Sequence, residues 1–280
     1  MIGFQYQAPD LYLFHKVNKN PTPERLVLHT HADAELYCFL GGKATYYVEG
    51  TAYPLQRGDI ILVRPMEAHN VQIDPSVPYE RILMNFDAGI LSSVDPENRL
   101  IAPFFQRPAG KQNLFRPKND RCLSLLQDMT TPCQEQRLVI LGSLILLLQQ
   151  LNEMFRFQQP VIDDTETLES EVIRYINKHL DRELTIEALC DRFFISRAQL
   201  CRRFRQATGT SIGNYITAKR LLLARQFLRQ KQKPTEVFTV CGYQDYSAFY
   251  RAYRNYFGYS PSDEQRFNYA LAPEDRISIE

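Results

Sequence analysis

Two groups of residues in this 280-residue chain have the types and spacing to do chemistry. The first is a run of guanidinium groups between Ser196 and Gly209, made by Arg197, Arg202, Arg203 and Arg205. A guanidinium is a planar fork of donors that fits phosphate oxygens and guanine edges. Leu200 and Phe204 stand four residues apart in the same run, so a helix here has one apolar face and arginines around the rest. A solvated charged face has the same composition, and the flanking residues must decide between the two. The second group is His29-Thr30-His31 with Glu35, then Gly58-Asp59, then Pro65 and His69. Imidazoles and a carboxylate at short spacing serve either as hydrogen-bonding partners for a small polar ligand or as ligands for a divalent transition metal. The chain shows no nucleophile-plus-base arrangement, no glycine-rich phosphate loop and no C-x-x-C pair, so catalysis is not the expectation.

The arginine run needs a helix to present it. Ser196 followed by Gln199 predicts a capping box, and Gly209 suits the left-handed residue that closes a helix. A helix this short holds only by docking its apolar seam on neighbours. Upstream, Leu184–Ile195 reads as a second helix capped by Thr185, with Ile186, Leu189 and Phe193 on one side. Helix, tight turn, basic helix is the arrangement that places its second member in a DNA major groove. The pattern returns at Pro234–Gly258, with Pro234 in a first turn, a break at Gly242, and Asp245 as N-cap of the last helix. That helix repeats the four-residue interval with Phe249 and Tyr253 and carries Arg251 and Arg254 outside it. A long helix over Ile212–Arg229 joins the two copies, which makes them one tandem unit.

Residues 184–261 resemble the DNA-binding domain of the AraC/XylS family of bacterial transcription regulators. The resemblance rests on Leu189, Ser196, Leu200, Phe204, Gly209, Arg220 and Ala224. The second copy adds Val237, Gly242-Tyr243, Phe249, Tyr253 and Gly258-Tyr259-Ser260-Pro261. It implies that Ala198, Cys201 and Arg202 read bases from the first copy, and Tyr246, Ser247 and Arg251 from the second. Two departures stand out: Phe238 occupies a position where the family has a small alanine, and Phe194 sits in the first turn, where a smaller residue is easier to accommodate.

The histidine group needs strands. From Leu26 to Phe86, short β-rich runs alternate with turns at Gly41-Gly42, Glu49-Gly50 and Arg57-Gly58-Asp59, which predicts a small antiparallel barrel. The His29/His31/Glu35 and Pro65/His69 spacing is similar to the two motifs of the cupin barrel. In metal-binding cupins the equivalents of His29, His31, Glu35 and His69 meet around one ion. The second motif lacks its glycine after the proline, and regulators with such an arm often keep these residues without a metal. The expectation is therefore no metal and no other cofactor. In its place an effector pocket is expected, lined by His31, Glu35, Tyr37, Tyr46, Arg64 and His69 and suited to a sugar or related small polar metabolite.

The expected fold is α+β in two domains: a cupin-like sensing and dimerisation domain over residues 1–157, a linker over 158–164, and an all-α tandem helix-turn-helix over 165–280. Residues 1–25 read as an aromatic arm with one edge strand at most, and Tyr6, Tyr12 and Phe14 as parts able to close over the pocket. Helices are expected at Asn119–Met129 and Gln136–Phe157, the second with enough apolar residues to cover the barrel and meet another subunit. The tail from Ser262 reads as polar and fraying. Charge divides along the same lines. Residues 192–254 hold 13 Lys and Arg against two acids, whereas residues 1–160 hold 15 against 16. A neutral half joined to a basic half implies one part that senses and one that binds a polyanion. Six scattered cysteines and the absence of a leader-like start imply a reduced cytoplasm. The expected function is a DNA-binding transcription regulator, with double-stranded DNA, a small effector and a second copy of itself as partners and no membrane. The alternative is a cupin metalloenzyme, an isomerase or dioxygenase, fused to a DNA-binding tail.

Overall fold

The computed structural model describes residues 2–21, 29–31, 33–157, 167–208, 210–266 and 277–278. They form two compact units, one drawn mainly from residues 1–165 and the other mainly from 166–269.

Strand pairing builds the first unit. A six-stranded sheet runs in the order β1 (Ile2–Ala8), β2 (Leu11–Asn18), β9 (Tyr79–Phe86), β4 (Ala34–Gly41), β7 (Ile60–Val63) and β10 (Leu114–Phe115), with neighbours antiparallel. A second sheet contains β3 (His29–Thr30), β8 (His69–Ile73), β5 (Ala44–Val48) and β6 (Thr51–Pro54) in that order. Glu49 and Gly50, at φ 48° and 80°, make the two-residue turn between β5 and β6. Positive φ at both positions matches the right-handed twist of a hairpin.

The central strands of the larger sheet are buried on both faces and largely apolar on both. On β4, Ala34, Leu36, Cys38 and Leu40 join the core beneath the helices, while Tyr37 and Phe39 join the interior between the sheets. β2 divides the same way, with Leu11 and Leu13 outward and Tyr12 and Phe14 inward. Outside the sheet lie α1 (Ala102–Phe105), α2 (Arg121–Thr130) and α3 (Gln136–Phe157). α3 is long and apolar enough to pass for a membrane span, yet Ile140, Leu144, Leu147, Leu148 and Leu151 are buried in the core it shares with the sheet.

The second unit is helical: α4 (Leu168–Lys178), α5 (Ile186–Phe193), α6 (Arg197–Thr208), α7 (Ile212–Arg229), α8 (Pro234–Val240), α9 (Tyr246–Phe257), and a 3-10 turn at Pro261–Arg266. Its ends are set by side chains. Thr167, Thr185, Ser211 and Asp245 each accept from a backbone N–H in the first turn, and Gly258 closes α9 at φ 82°. Ser196 Oγ accepts weakly from Gln199 N at 3.4 Å and donates to Gln199 Oε1 at 3.0 Å, so the expected capping box is only half made.

Two expectations are corrected. Residues 2–18 are no arm. β1 and β2 are integral strands, and Tyr12 and Phe14 are already buried in the interior. The start of the tail does not fray either. Glu264 is buried and accepts from the Tyr253 hydroxyl at 2.5 Å, the Tyr259 hydroxyl at 2.7 Å, and Arg225 and Arg229 at 3.0 Å each. The proposed linker 158–164, Gly209 and residues 267–276 lie outside the described residues.

Candidate functional site

In the helical unit the basic helices expose the residues expected to meet DNA. Leu200 and Phe204 bury one side of α6, and Phe249 and Tyr253 bury the same side of α9. That leaves Arg197, Ala198, Arg202, Arg203 and Arg205 exposed on α6 with Cys201 half-buried. On α9, Ser247, Arg251 and Arg254 are exposed and Tyr246 is half-buried. The arginines are not equivalent. Arg197 donates to Glu187 at 2.6 Å, and Arg203 donates to Glu169 on α4. No carboxylate among the described residues engages Arg202, Arg205, Arg251 or Arg254. Exposed ion pairs are worth about 0–1 kcal/mol, so the engaged arginines remain exchangeable, but the four others carry charge that no carboxylate among the described residues pairs with.

The two copies are braced by α7. Arg220 donates to Leu180 O at 3.0 Å and to Arg182 O at 2.5 Å, and its guanidinium lies 5.9 Å from the Tyr243 ring centre. Phe238, the bulky residue in place of alanine, is accommodated by an edge-on contact with Tyr246 at 5.7 Å. That contact sets a second ring against Tyr246, itself one of the expected base-reading positions.

In the sheet unit the interior face gathers most of the second group. Glu35 is buried, accepts from the Tyr46 hydroxyl at 2.6 Å on Oε1, and faces His31 Nε2 at 3.0 Å and His69 Nε2 at 3.6 Å on Oε2. Tyr46 stacks on His69 at 6.0 Å and tilts against Tyr37 at 4.8 Å, and Tyr37 shares a 2.7 Å hydroxyl contact with Tyr79. Burial alone raises the Glu35 carboxyl, but the His69 and His31 rings outweigh it and hold it well below the usual carboxylate range. Burial and the Tyr79 hydroxyl push the Tyr37 phenol well up.

Both rings are oriented by the backbone. His31 Nδ1 lies 3.0 Å from Asp33 O and His69 Nδ1 lies 2.8 Å from Glu67 O. A carbonyl only accepts, so both Nδ1 atoms are oriented as donors and both Nε2 atoms face the carboxylate, that of His31 within hydrogen-bond distance at 3.0 Å and that of His69 beyond it at 3.6 Å. With His29, these residues offer four ligand atoms within 4.8 Å of one another. The donor set suits a borderline divalent transition metal, and backbone support of the rings and Tyr46 support of Glu35 are what such an ion needs behind its ligands.

Arg64 is drawn elsewhere. It donates to Arg107 O at 3.1 Å and lies 3.5 Å from Glu67, whose carboxylate is gripped by both Arg107 Nη atoms at 2.8 and 2.7 Å. Its neighbours make it a brace for the Glu67–Arg107 pair. The sequence reading assigned no role to Tyr79, Arg81 or Asn85, which share the inward face of β9. The period-two spacing of β9 was the signal that placed them there.

Residues 18–149 match a family model described as an AraC-like ligand binding domain, and residues 189–266 match one described as a helix-turn-helix domain. The chain is similar to the Msm operon regulatory protein of Streptococcus mutans serotype c, 25% identical over 231 residues, covering 81% of this chain and 82% of that one. It is 24% identical over 279 residues to the HTH-type transcriptional activator RhaR of Pectobacterium atrosepticum, covering 95% and 96%. Over 94 residues it is 34% identical to the regulatory protein SoxS of Escherichia coli K12, covering 33% of this chain and 88% of that one.

Proposed function

The chain belongs to the AraC family of transcription regulators, with an AraC-like ligand-binding domain and a DNA-binding helix-turn-helix domain, and on that premise we propose which residues do each task. The reading keeps domain bounds of 1–157 and 165–280 joined by a linker over 158–164, with one family match, 18–149, inside the first and the other, 189–266, inside the second. Arg202 and Arg205 on α6 and Arg251 and Arg254 on α9 supply the contacts to operator DNA. Arg202 and Arg251 read guanine, alongside Ala198, Cys201, Tyr246 and Ser247, and Arg197 and Arg203 contribute once released from Glu187 and Glu169. The observation that carries this reading is the set of arginines on both second helices that no carboxylate among the described residues engages. α7, 18 residues long, spans about 27 Å at the helical rise, which is compatible with readers roughly one DNA turn apart.

The interior between the sheets receives a small polar effector, a sugar or related metabolite, through His31, Glu35, Tyr37, Tyr46 and His69. Two of the relatives are named as an operon regulator and a transcriptional activator, which supports a regulatory role, and a non-enzymatic, cytoplasmic homodimer is the form proposed for it here. A transition metal held by His29, His31, Glu35 and His69 would offer oxygen ligands of the effector a Lewis-acid site.

The test of the DNA reading is selection of bound sequences from a random pool by the wild type and by Arg202→Ala and Arg251→Ala. Each substitution is expected to relax preference at one operator position, at a cost of about 1–3 kcal/mol on the preferred base. Loss of affinity uniform across sequences would instead make that arginine a phosphate contact.

A further inference from the structure

A second set of polar groups lines the interior face of the larger sheet, four residues along β4 from Glu35, and none of it is used by the site above. β2 and β9 pair with Asn18 opposite Tyr79, Lys16 opposite Arg81 and Phe14 opposite Leu83. Side chains alternate between faces, and Phe14 and Tyr79 belong to the interior cluster, so Lys16, Asn18 and Arg81 share the interior face. Arg81 is 9% exposed, and its guanidinium sits 5.3 Å from the Phe14 ring centre and 4.7 Å from that of Tyr79. Its Nη1 and the Oδ1 of Asn18 are buried with no hydrogen-bond partner. Among the described residues no carboxylate pairs with Arg81 or with Lys16. The only acid on the adjoining strand positions, Glu80, is turned to the opposite face and bound to His15 at 2.8 Å.

This arrangement is unfavourable as it stands. Like charges directly opposite on paired strands repel, and a buried guanidinium loses hydration that two aromatic faces restore only in part. An acidic group between Arg81 and Lys16 would remove the repulsion and satisfy Nη1 through charge-assisted hydrogen bonds. Asn18 and the Tyr37–Tyr79 hydroxyl pair beside it would take the hydroxyls of the same molecule, and the Phe14 and Tyr79 rings would flank its carbon frame. The histidine group alone calls for nothing anionic, since it already contains a carboxylate.

We propose that the effector is a small hydroxylated acid or phosphorylated metabolite, bound through its carboxylate or phosphate to Arg81 and Lys16. The inference rests on the reading of the sheet interior as the effector site and names the class of molecule it takes.

Acetate and inorganic phosphate are the probes, added to the full-length protein at about 20 mM and compared with sodium chloride at equal ionic strength. A specific anion site raises the melting temperature of the wild type by about 2–4 °C. Lys16→Met is expected to lose at least half of that shift and Arg81→Met all of it, while Lys118→Met, at an exposed lysine elsewhere in the same unit, keeps it. A response to acetate alone identifies a carboxylate, and one to phosphate alone a phosphoryl group. Should Arg81→Met not fold, Lys16→Met, altered at a partly exposed residue, still decides. Equal shifts in wild type and Lys16→Met, or no shift with either probe, overturn the proposal. If that occurs while a neutral monosaccharide raises the melting temperature in a Tyr46-dependent manner, the effector reading survives and only the acidic class is lost. If no probe acts on the interior, the effector reading fails with it.

Discussion

At the scale of single residues, backbone geometry explains both the most legible positions and one costly one. Gly242 was marked by the family resemblance, and the structure gives the reason: at φ 78° an added Cβ would lie 2.1 Å from Leu180 O and 2.8 Å from the Arg220 guanidinium. No side chain fits there, so this glycine was readable from the motif. Phe194 is the opposite case. It closes α5 in the left-handed region at φ 51°, ψ 45°, donating its N–H to Cys190 O, and its ring is 96% exposed. A residue with Cβ pays about 1–2 kcal/mol for that conformation, and asparagine tolerates it far better. Phe194→Asn is expected to stabilise the protein by about 0.5–1 kcal/mol, read as a higher urea midpoint with an unchanged slope. An unchanged or lower midpoint would mean that the ring earns its place through packing that its exposure hides. Arg81 and Lys16 were illegible for a simpler reason. In a strand apolar on both faces, the alternation that tells inside from outside is weak, and a cation there reads by default as solvent-facing.

At the scale of elements, legibility followed the strength of start and stop signals. α3 and α7 run over Gln136–Phe157 and Ile212–Arg229, the bounds expected for them from the sequence. β1 and β2 were missed because their joint is only Pro9-Asp10, between Ala8 and Leu11, and because Leu11 through Phe14 are apolar at every position. The 3-10 turn at Pro261–Arg266 was missed because its anchor is an acid, and no apolar pattern announces it. Glu264 makes a further prediction. Burial raises its carboxyl, but the Tyr253 and Tyr259 hydroxyls with Arg225 and Arg229 more than offset that, and its pKa is lowered. A depressed carboxylate contributes stability that is fully present above its unfolded pKa, about 4.3, and is lost as pH falls through the folded value. Glu264→Gln leaves the buried Arg225 without its carboxylate and is expected to cost about 3 kcal/mol at pH 7. The gap to the wild type should close as pH falls below about 4. Chemical denaturation followed by helix signal at pH 7 and pH 3.5 checks it, and a gap independent of pH would show that shape rather than charge holds the turn.

At the scale of the whole molecule, the division of charge between a neutral half and a basic half was readable from composition, and so was an apolar surplus on α3. Where the surplus points was not. Ile140, Leu144, Leu147, Leu148 and Leu151 all enter the core, so a substitution at Leu144 would test folding and not association. The outward face is a different set. Leu138 is 67% exposed and Leu146 is 42% exposed, and Gly142 lies between them at four-residue steps with open space where a Cβ would stand. Phe157, also exposed, returns to the face of Leu146 eleven residues on, about three helical turns. Two leucines flanking a glycine let a second helix approach closely and bury apolar surface that water otherwise covers. A homodimer through this face is therefore expected, with α3 of one protomer against α3 of its partner. Leu146→Glu places like charges across the two-fold axis and should convert a dimer at micromolar concentration into a monomer while leaving the helix signal and melting temperature nearly unchanged. Operators with two half-sites should then bind more weakly, whereas a single half-site should bind as before, because only the coupling between protomers is lost. Sedimentation equilibrium of both proteins is the measurement, and a wild type that stays monomeric, or a variant that stays dimeric, places the association face elsewhere.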